Sequence, residues 1–96
     1  MKGGLTSVTI PDSAVFIGDW AFVKNKLNGV AISGVTSIGE GAFHKNQITS
    51  IAIGTNVTLE NKKSSVFNYE FDEFYQKNGR KAGTYTYKNG RWSHDL

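Results

Sequence analysis

A hexapeptide pattern occurs twice in this chain, as Ile17-Gly18-Asp19-Trp20-Ala21-Phe22 and, 21 residues later, as Ile38-Gly39-Glu40-Gly41-Ala42-Phe43. The segment ahead of it repeats as well. Leu5-Thr6-Ser7-Val8-Thr9-Ile10 returns as Leu27-Asn28-Gly29-Val30-Ala31-Ile32 and as Ile48-Thr49-Ser50-Ile51-Ala52-Ile53, at spacings of 22 and then 21 residues. A unit of this size is too small to bury an apolar face alone, so each copy must stack on the next. The expectation is a repeat solenoid, mainly β.

Within each repeat the Val-Thr-Ile type alternation reads as a short strand with Val8 and Ile10 inward, followed by the sets Leu27, Val30, Ile32 and Ile48, Ile51, Ile53. Pro11-Asp12-Ser13, Ser33-Gly34 and Gly54-Thr55-Asn56 then turn the chain. Ala14, Val35 and Val57 align on the returning side, followed by Ile17, Ile38 and Leu59. Gly18 and Gly39 are expected to release the backbone into a turn that lowers Phe22 and Phe43 into the stack. Asn25 and Asn46 suit a ladder whose amides satisfy loop backbone groups, in preference to a binding role.

The third repeat departs from the pattern. Eight residues separate Leu59 from Phe67 where the earlier repeats have five, and Glu60-Asn61-Lys62-Lys63-Ser64-Ser65 reads as a loop that ends the regular array. Beyond it, Phe71, Phe74 and Tyr75 fall at i, i+3 and i+4 between Asn68 and Asn78-Gly79, which predicts a short amphipathic helix with a glycine stop. Asn89-Gly90 then predicts a hairpin with a type I′ turn. That register sets Lys88 opposite Arg91, Tyr87 opposite Trp92 and Tyr85 opposite His94. Tyr85, Tyr87, Trp92 and His94 share one face, and Thr84, Thr86, Lys88, Arg91 and Ser93 the other. The organisation expected is a flexible leader at 1–4, repeats at 5–26, 27–47 and a modified 48–69, and a C-terminal helix-plus-hairpin cap at 70–96.

LTSVTIPDSAVFIGDWAF and VTSIGEGAFHKNQITSIAIG resemble the leucine-rich repeats of the BspA-like, or Treponema pallidum, type, and FDEFYQKNGRKAGTYTYKNGRWS resembles the C-terminal cap of treponemal members. The resemblance spans essentially Leu5 to Ser93. It implies a right-handed leucine-rich-repeat solenoid with strands lining its inner face, displayed at the bacterial cell surface or secreted, and used for adhesion to host extracellular-matrix proteins or to other bacteria. No apolar run in the first twenty residues exceeds Ala14-Val15-Phe16-Ile17, too short for a signal-peptide core or a membrane span. The cytoplasm is therefore the alternative compartment.

Charge separates the two parts. Residues 1–61 hold four lysines and four acids, so the whole net charge of +3 lies in residues 62–96, with eight of the twelve aromatic residues. Solenoids usually bind through the strand face, whose outward positions here are Thr6, Ser7, Thr9, Asn28, Gly29, Ala31, Thr49, Ser50 and Ala52. Three strands make a patch only roughly 10 Å across. The tail offers Tyr85, Tyr87, Lys88, Arg91 and Trp92, near Arg80 and Lys81, as an alternative nucleic-acid or glycan site. The stronger reading of those aromatics is that they seal the open end over Ile48, Ile51 and Ile53, which weighs against nucleic acid. Trp20 is either an interface anchor or a cover for the neighbouring coil, and the cover is favoured.

Catalysis finds no support. Ser93, His94 and Asp95 are consecutive strand residues that point alternately to opposite faces and cannot form a relay. His44 and His94 have no neighbours at metal-ligand spacing, and the absence of cysteine removes thiolate sites and disulfides. Asp72 and Glu73 read as favourable charges near a helix start. The expectation is a non-enzymatic protein-binding or adhesion module without metal or cofactor. Its first strand would present an unpaired edge beside Leu5, Val8, Ile10, Ile17 and Phe22, which points to homo-oligomers formed through the N-terminal end. A truncated repeat fragment with no activity of its own is the remaining alternative.

Overall fold

Each repeat contributes two strands to two different sheets. In the computed structural model, which describes residues 6–11 and 13–95, β1 (Ser7–Thr9), β3 (Gly29–Ile32) and β5 (Ser50–Ile53) come from the first halves of the repeats. β2 (Phe16–Ile17), β4 (Ser37–Ile38) and β6 (Thr58–Leu59) come from the second halves. β1, β3 and β5 pair in parallel, and β2, β4 and β6 form a separate parallel sheet. The leader at 1–4, Leu5 and the turn residue Asp12 lie outside the described residues. With only two residues per strand, the second sheet leaves no periodicity for a sequence pattern to reveal.

The register stacks like on like. Val8, Val30 and Ile51 are successive partners in one sheet, and Ile17, Ile38 and Leu59 in the other. Leu27, Ile32, Ile38, Ile48 and Ile51 are fully buried between the sheets, each contributing about 1.5–3 kcal/mol of apolar transfer. Phe22, Phe43 and Phe67 continue the stacking in the turns, with ring centroids 5.3 and 5.0 Å apart and planes within 7°.

The turns use a different device from the one expected at Gly18 and Gly39. Neither of these has positive φ. The left-handed residues are Trp20 (φ 58°) and its counterpart Gly41 (φ 63°), then Lys24 (φ 58°) and Lys45 (φ 60°). Gly39 instead permits close approach between coils, because a Cβ there would lie 2.5 Å from the Asp19 nitrogen and 2.7 Å from the Gly18 carbonyl carbon.

The asparagine ladder has three rungs. Asn25 donates to the Phe22 carbonyl (3.1 Å). Buried Asn46 accepts from the Leu27 N–H (3.0 Å) and donates to the carbonyls of Phe22 (3.0 Å), Phe43 (2.9 Å) and His44 (3.3 Å). Asn68, read from sequence as the boundary ahead of the helix, accepts from the Ile48 N–H (2.8 Å) and donates to its carbonyl (3.0 Å). The segment 60–65 therefore does not end the array. It bulges out, and Phe67 and Asn68 resume the stack one step further.

Asp72 holds that bulge. It is not a surface charge at a helix start: its carboxylate is buried and accepts hydrogen bonds from the Val66 N–H (2.7 Å), the Phe67 N–H (2.9 Å) and the Asn61 amide (3.2 Å). The chain reaches it through two consecutive left-handed residues, Tyr69 (φ 52°) and Glu70 (φ 60°). Glu70 is the N-cap of α1 (Phe71–Lys77) but makes no side-chain cap bond. The helix stops as expected, at Asn78 and the left-handed Gly79 (φ 74°).

β7 (Gly83–Lys88) and β8 (Arg91–Asp95) form the hairpin in the expected register, around Asn89 (φ 54°) and Gly90 (φ 80°). They also extend the first sheet, because β7 pairs antiparallel with β5, giving the order β1-β3-β5-β7-β8. Phe71 lies between these parts, with its ring centroid 5.0 Å from Phe67, 5.7 Å from Tyr75, 5.2 Å from Tyr85 and 4.9 Å from Trp92. The Tyr75 hydroxyl ties α1 to the third repeat, donating to the Gly54 carbonyl (2.6 Å) and accepting from the Val57 N–H (3.1 Å).

Two predictions follow from these bonds. Asn46→Ala strands buried backbone groups at about 1–3 kcal/mol each, so its melting temperature should fall by at least about 8 °C. Asn25→Ala, which removes one half-buried bond, should cost about 1 kcal/mol or less; thermal denaturation of the pair compares them directly. Burial holds the Asp72 carboxyl above its ordinary value of 3.8, although hydrogen bonds from Val66, Phe67, Asn61 and its own backbone oppose the shift. The neutral acid is thus the form that the fold favours. Its contribution is full below pH 3.8 and declines as pH rises through the raised value. The stability of the native chain relative to Asp72→Asn should therefore fall as melting is followed from acid to neutral pH; a rising difference would show that the hydrogen bonds outweigh desolvation.

Candidate protein-binding face

The side of the five-stranded sheet that faces away from the core carries two cross-strand rows. One row is Ser7, Gly29, Ser50, Thr86 and Ser93, and the other is Thr9, Ala31, Ala52, Thr84 and Asp95. Ser7, Thr9, Ser50, Thr84, Ser93 and Asp95 are exposed, while Gly29, Ala31, Ala52 and Thr86 are half-buried by their neighbours. Pleating forces this arrangement, since the alternating residues Val8, Val30, Ile51, Tyr85 and Trp92 point into the core.

Of the nine positions expected on this face, six fall in the two rows. Thr6, Asn28 and Thr49 sit just ahead of their strands and form a backbone-linked series at one end: the Asn28 N–H donates to the Thr6 carbonyl (2.8 Å) and the Thr49 N–H to the Asn28 carbonyl (2.9 Å). Sequence reasoning missed Thr84, Thr86, Ser93 and Asp95. Their signal was present, because hairpin alternation puts Thr84, Thr86 and Ser93 on the face opposite the aromatics. The missing step was the pairing of β7 with β5. With it the patch widens from three strands to five, about 19 Å at the usual strand spacing. Its centre is uncharged, with Lys88 and Arg91 at one corner and Asp95 at another.

Two rings of the aromatic tail are buried. Tyr85 is fully buried and Trp92 is 7% exposed, its indole N–H donating to the Tyr69 carbonyl (3.0 Å). The Tyr85 hydroxyl donates to the Lys81 carbonyl (2.6 Å) and accepts from the Asn78 amide (3.1 Å), and burial pushes its ionisation above the usual tyrosine range. Tyr87 is half-buried against Tyr69, with ring centroids 4.3 Å apart. Lys88 and Arg91 remain exposed. Tyr85 and Trp92 thus fill the space beneath the third repeat and offer no free stacking face, whereas Tyr87 and Arg91 line an open cavity of about 440 Å³ together with Tyr69.

Trp20 covers the neighbouring coil. Its indole lies directly over Gly41, where any Cβ would collide with the six-membered ring, yet the side chain stays 44% exposed.

Ser93 and His94 are each held by other partners. Ser93 donates back to the Thr86 carbonyl (3.4 Å), and the His94 ring lies between the Asn78 amide (3.0 Å) and the Ala82 carbonyl (2.8 Å). Among the described residues no group of three His, Cys, Asp or Glu side chains could hold a metal ion. No helix of the described residues is long and apolar enough to cross a membrane.

No curated protein and no solved structure matches the chain. A family model for the BspA type leucine-rich repeat region, described with six copies, matches residues 1–89. Parallel coils at this spacing, a mixed α/β fold and a solvent-facing row of small residues accord with that match, and the chain belongs to the BspA-type leucine-rich repeat family.

Proposed function

We propose that this protein is a non-enzymatic protein-binding module that attaches to a host extracellular-matrix protein at the bacterial cell surface. In this reading the two sheets form a short right-handed solenoid, and residues 70–96 are its C-terminal cap. The observation that carries the proposal is the five-stranded face, whose small uncharged residues leave backbone and hydroxyl groups open to an approaching chain. Family membership supports protein interaction as the activity class. A standard interface takes about 800 Å² from each partner. A patch of roughly 19 by 10 Å at strand spacing is smaller, so single copies bind weakly and several copies together bind by avidity.

The test is a titration of immobilised chain with fibronectin at low and at physiological salt. Saturable binding that survives salt is expected. Replacing Thr9, Ala31 and Ala52 together by tyrosine, a residue that strands accept readily, should weaken binding at least about tenfold while the melting temperature is kept. Unchanged binding by that variant rejects the face. Binding only to mixed-sequence nucleic acid, lost with salt and with Lys88 and Arg91, would assign function to the basic tail. Silence in both titrations would identify a repeat fragment without activity of its own.

Self-association through the N-terminal end is part of the same proposal. Among the described residues β1 and β2 each pair on one side only, and Phe16 of β2 and the preceding Val15 are 61% and 54% exposed. Val8, Ile10 and Phe22 are only partly buried there, whereas Ile17 is covered. A second copy meeting these edges would complete the ladders and enlarge the binding face. Light scattering at high concentration should give a mass above the monomer, reduced by Phe16→Lys; a strictly monomeric mass rejects the association.

A further inference from the structure

Three of the six residues lining a cavity of about 440 Å³ on the turns of the first two repeats have left-handed backbone: Trp20 (φ 58°), Lys24 (φ 58°) and Lys45 (φ 60°). Val23, His44 and Ser64 complete the lining. Each left-handed position would be less strained as glycine or asparagine, and strain of this kind collects at sites where the side chain itself is needed. Gly41 fills the position equivalent to Trp20, and outside the cavity the left-handed residues with side chains are Asn56, Tyr69, Glu70, Arg80 and Asn89.

The side chains are arranged for a ligand. The Trp20 indole lies over Gly41, with the His44 ring edge-on at 6.2 Å and 82°, and stays 44% exposed. Lys24 and Lys45 occupy the same position in successive coils, joined by the Lys24 N–H donating to the His44 carbonyl (3.0 Å). Both are exposed, and among the described residues the one ion pair is Lys77 with Glu73, so neither lysine is neutralised by a carboxylate. No acidic side chain lines the cavity.

We propose that this cavity binds one ring of an anionic saccharide, a sugar carrying sulfate or carboxylate groups. The apolar face of the sugar packs on Trp20, the anionic groups meet the Lys24 and Lys45 ammoniums, and His44 and Ser64 serve its hydroxyls. The volume lies within the range of small-ligand sites, about 300–1,000 Å³. Single-stranded nucleic acid fits less well, because it calls for aromatic platforms under successive bases and Trp20 is the one exposed ring that lines this cavity. The site lies outside the five-stranded face and is independent of its protein partner.

The experiment uses the intact chain, labelled with ¹⁵N, and follows the two indole N–H signals. A heparin-derived tetrasaccharide should shift the Trp20 signal saturably and leave that of buried Trp92 unmoved. The same tetrasaccharide stripped of sulfate should bind at least about tenfold more weakly. The double variant Lys24→Asn and Lys45→Asn, whose new side chains suit left-handed backbone, should melt no lower than the parent and lose at least about tenfold in affinity. The proposal is overturned by equal binding of the desulfated sugar, by undiminished binding of the double variant, or by no shift at Trp20. Tighter binding of mixed-sequence single-stranded DNA at Trp20 would also overturn it, by assigning the site to nucleic acid.

Discussion

The Asn46 side chain supplies what the strand ladders cannot. Where the chain turns between two stacked coils, backbone groups of three segments face one another with no strand to pair them, and buried groups of this kind must find partners. Asn46 answers with one acceptor for Leu27 and two amide protons shared over the carbonyls of Phe22, Phe43 and His44. The stacked phenylalanines and the apolar columns can pack closely only because these polar groups are satisfied beside them. Asn68 does the same for Ile48, so one chemical solution serves successive coils.

What the sequence reveals follows from which interactions are local or periodic. Apolar columns such as Val8, Val30 and Ile51 are legible because they recur at the repeat spacing, and the hairpin register is legible because Asn89-Gly90 fixes it within a few residues. The docking of β7 on β5 leaves no such mark: nothing near Thr84 or Thr86 states that Ala52 and Ser50 lie beside them. Asn68 and Asp72 are harder for the same reason. The 60–65 bulge shifts Asn68 out of the spacing, and Asp72 beside Glu73 at a helix start resembles a surface charge until its partners at Val66 and Phe67 are seen. Gly39 and Gly41 show a further limit, because a glycine demanded by close approach and one demanded by left-handed backbone read alike.

The two faces of the large sheet divide the chemistry of the chain. Every large ring of the hairpin strands turns toward Phe71 or Tyr69, and every residue left outside is small or at a charged corner. The widened face in the candidate site is thus a by-product of sealing the third repeat, since strands that bury Tyr85 and Trp92 necessarily expose Thr84, Thr86 and Ser93. Trp20 stands apart from this division. It lies on a turn, outside both sheets, and shares its cavity with Lys24 and Lys45.

Reversal of strand direction at β7 has a consequence for length. A parallel coil added to a parallel coil recreates the edge it has covered, so such stacking contains no internal count of its units. β7 runs opposite to β5 and occupies the edge that a further parallel coil would use, with β8 as its own outer partner. No further coil can pair with β5 while the hairpin stays docked there. Whole coils of 21 or 22 residues could be gained on the β1 side without disturbing the pairing of β7 with β5.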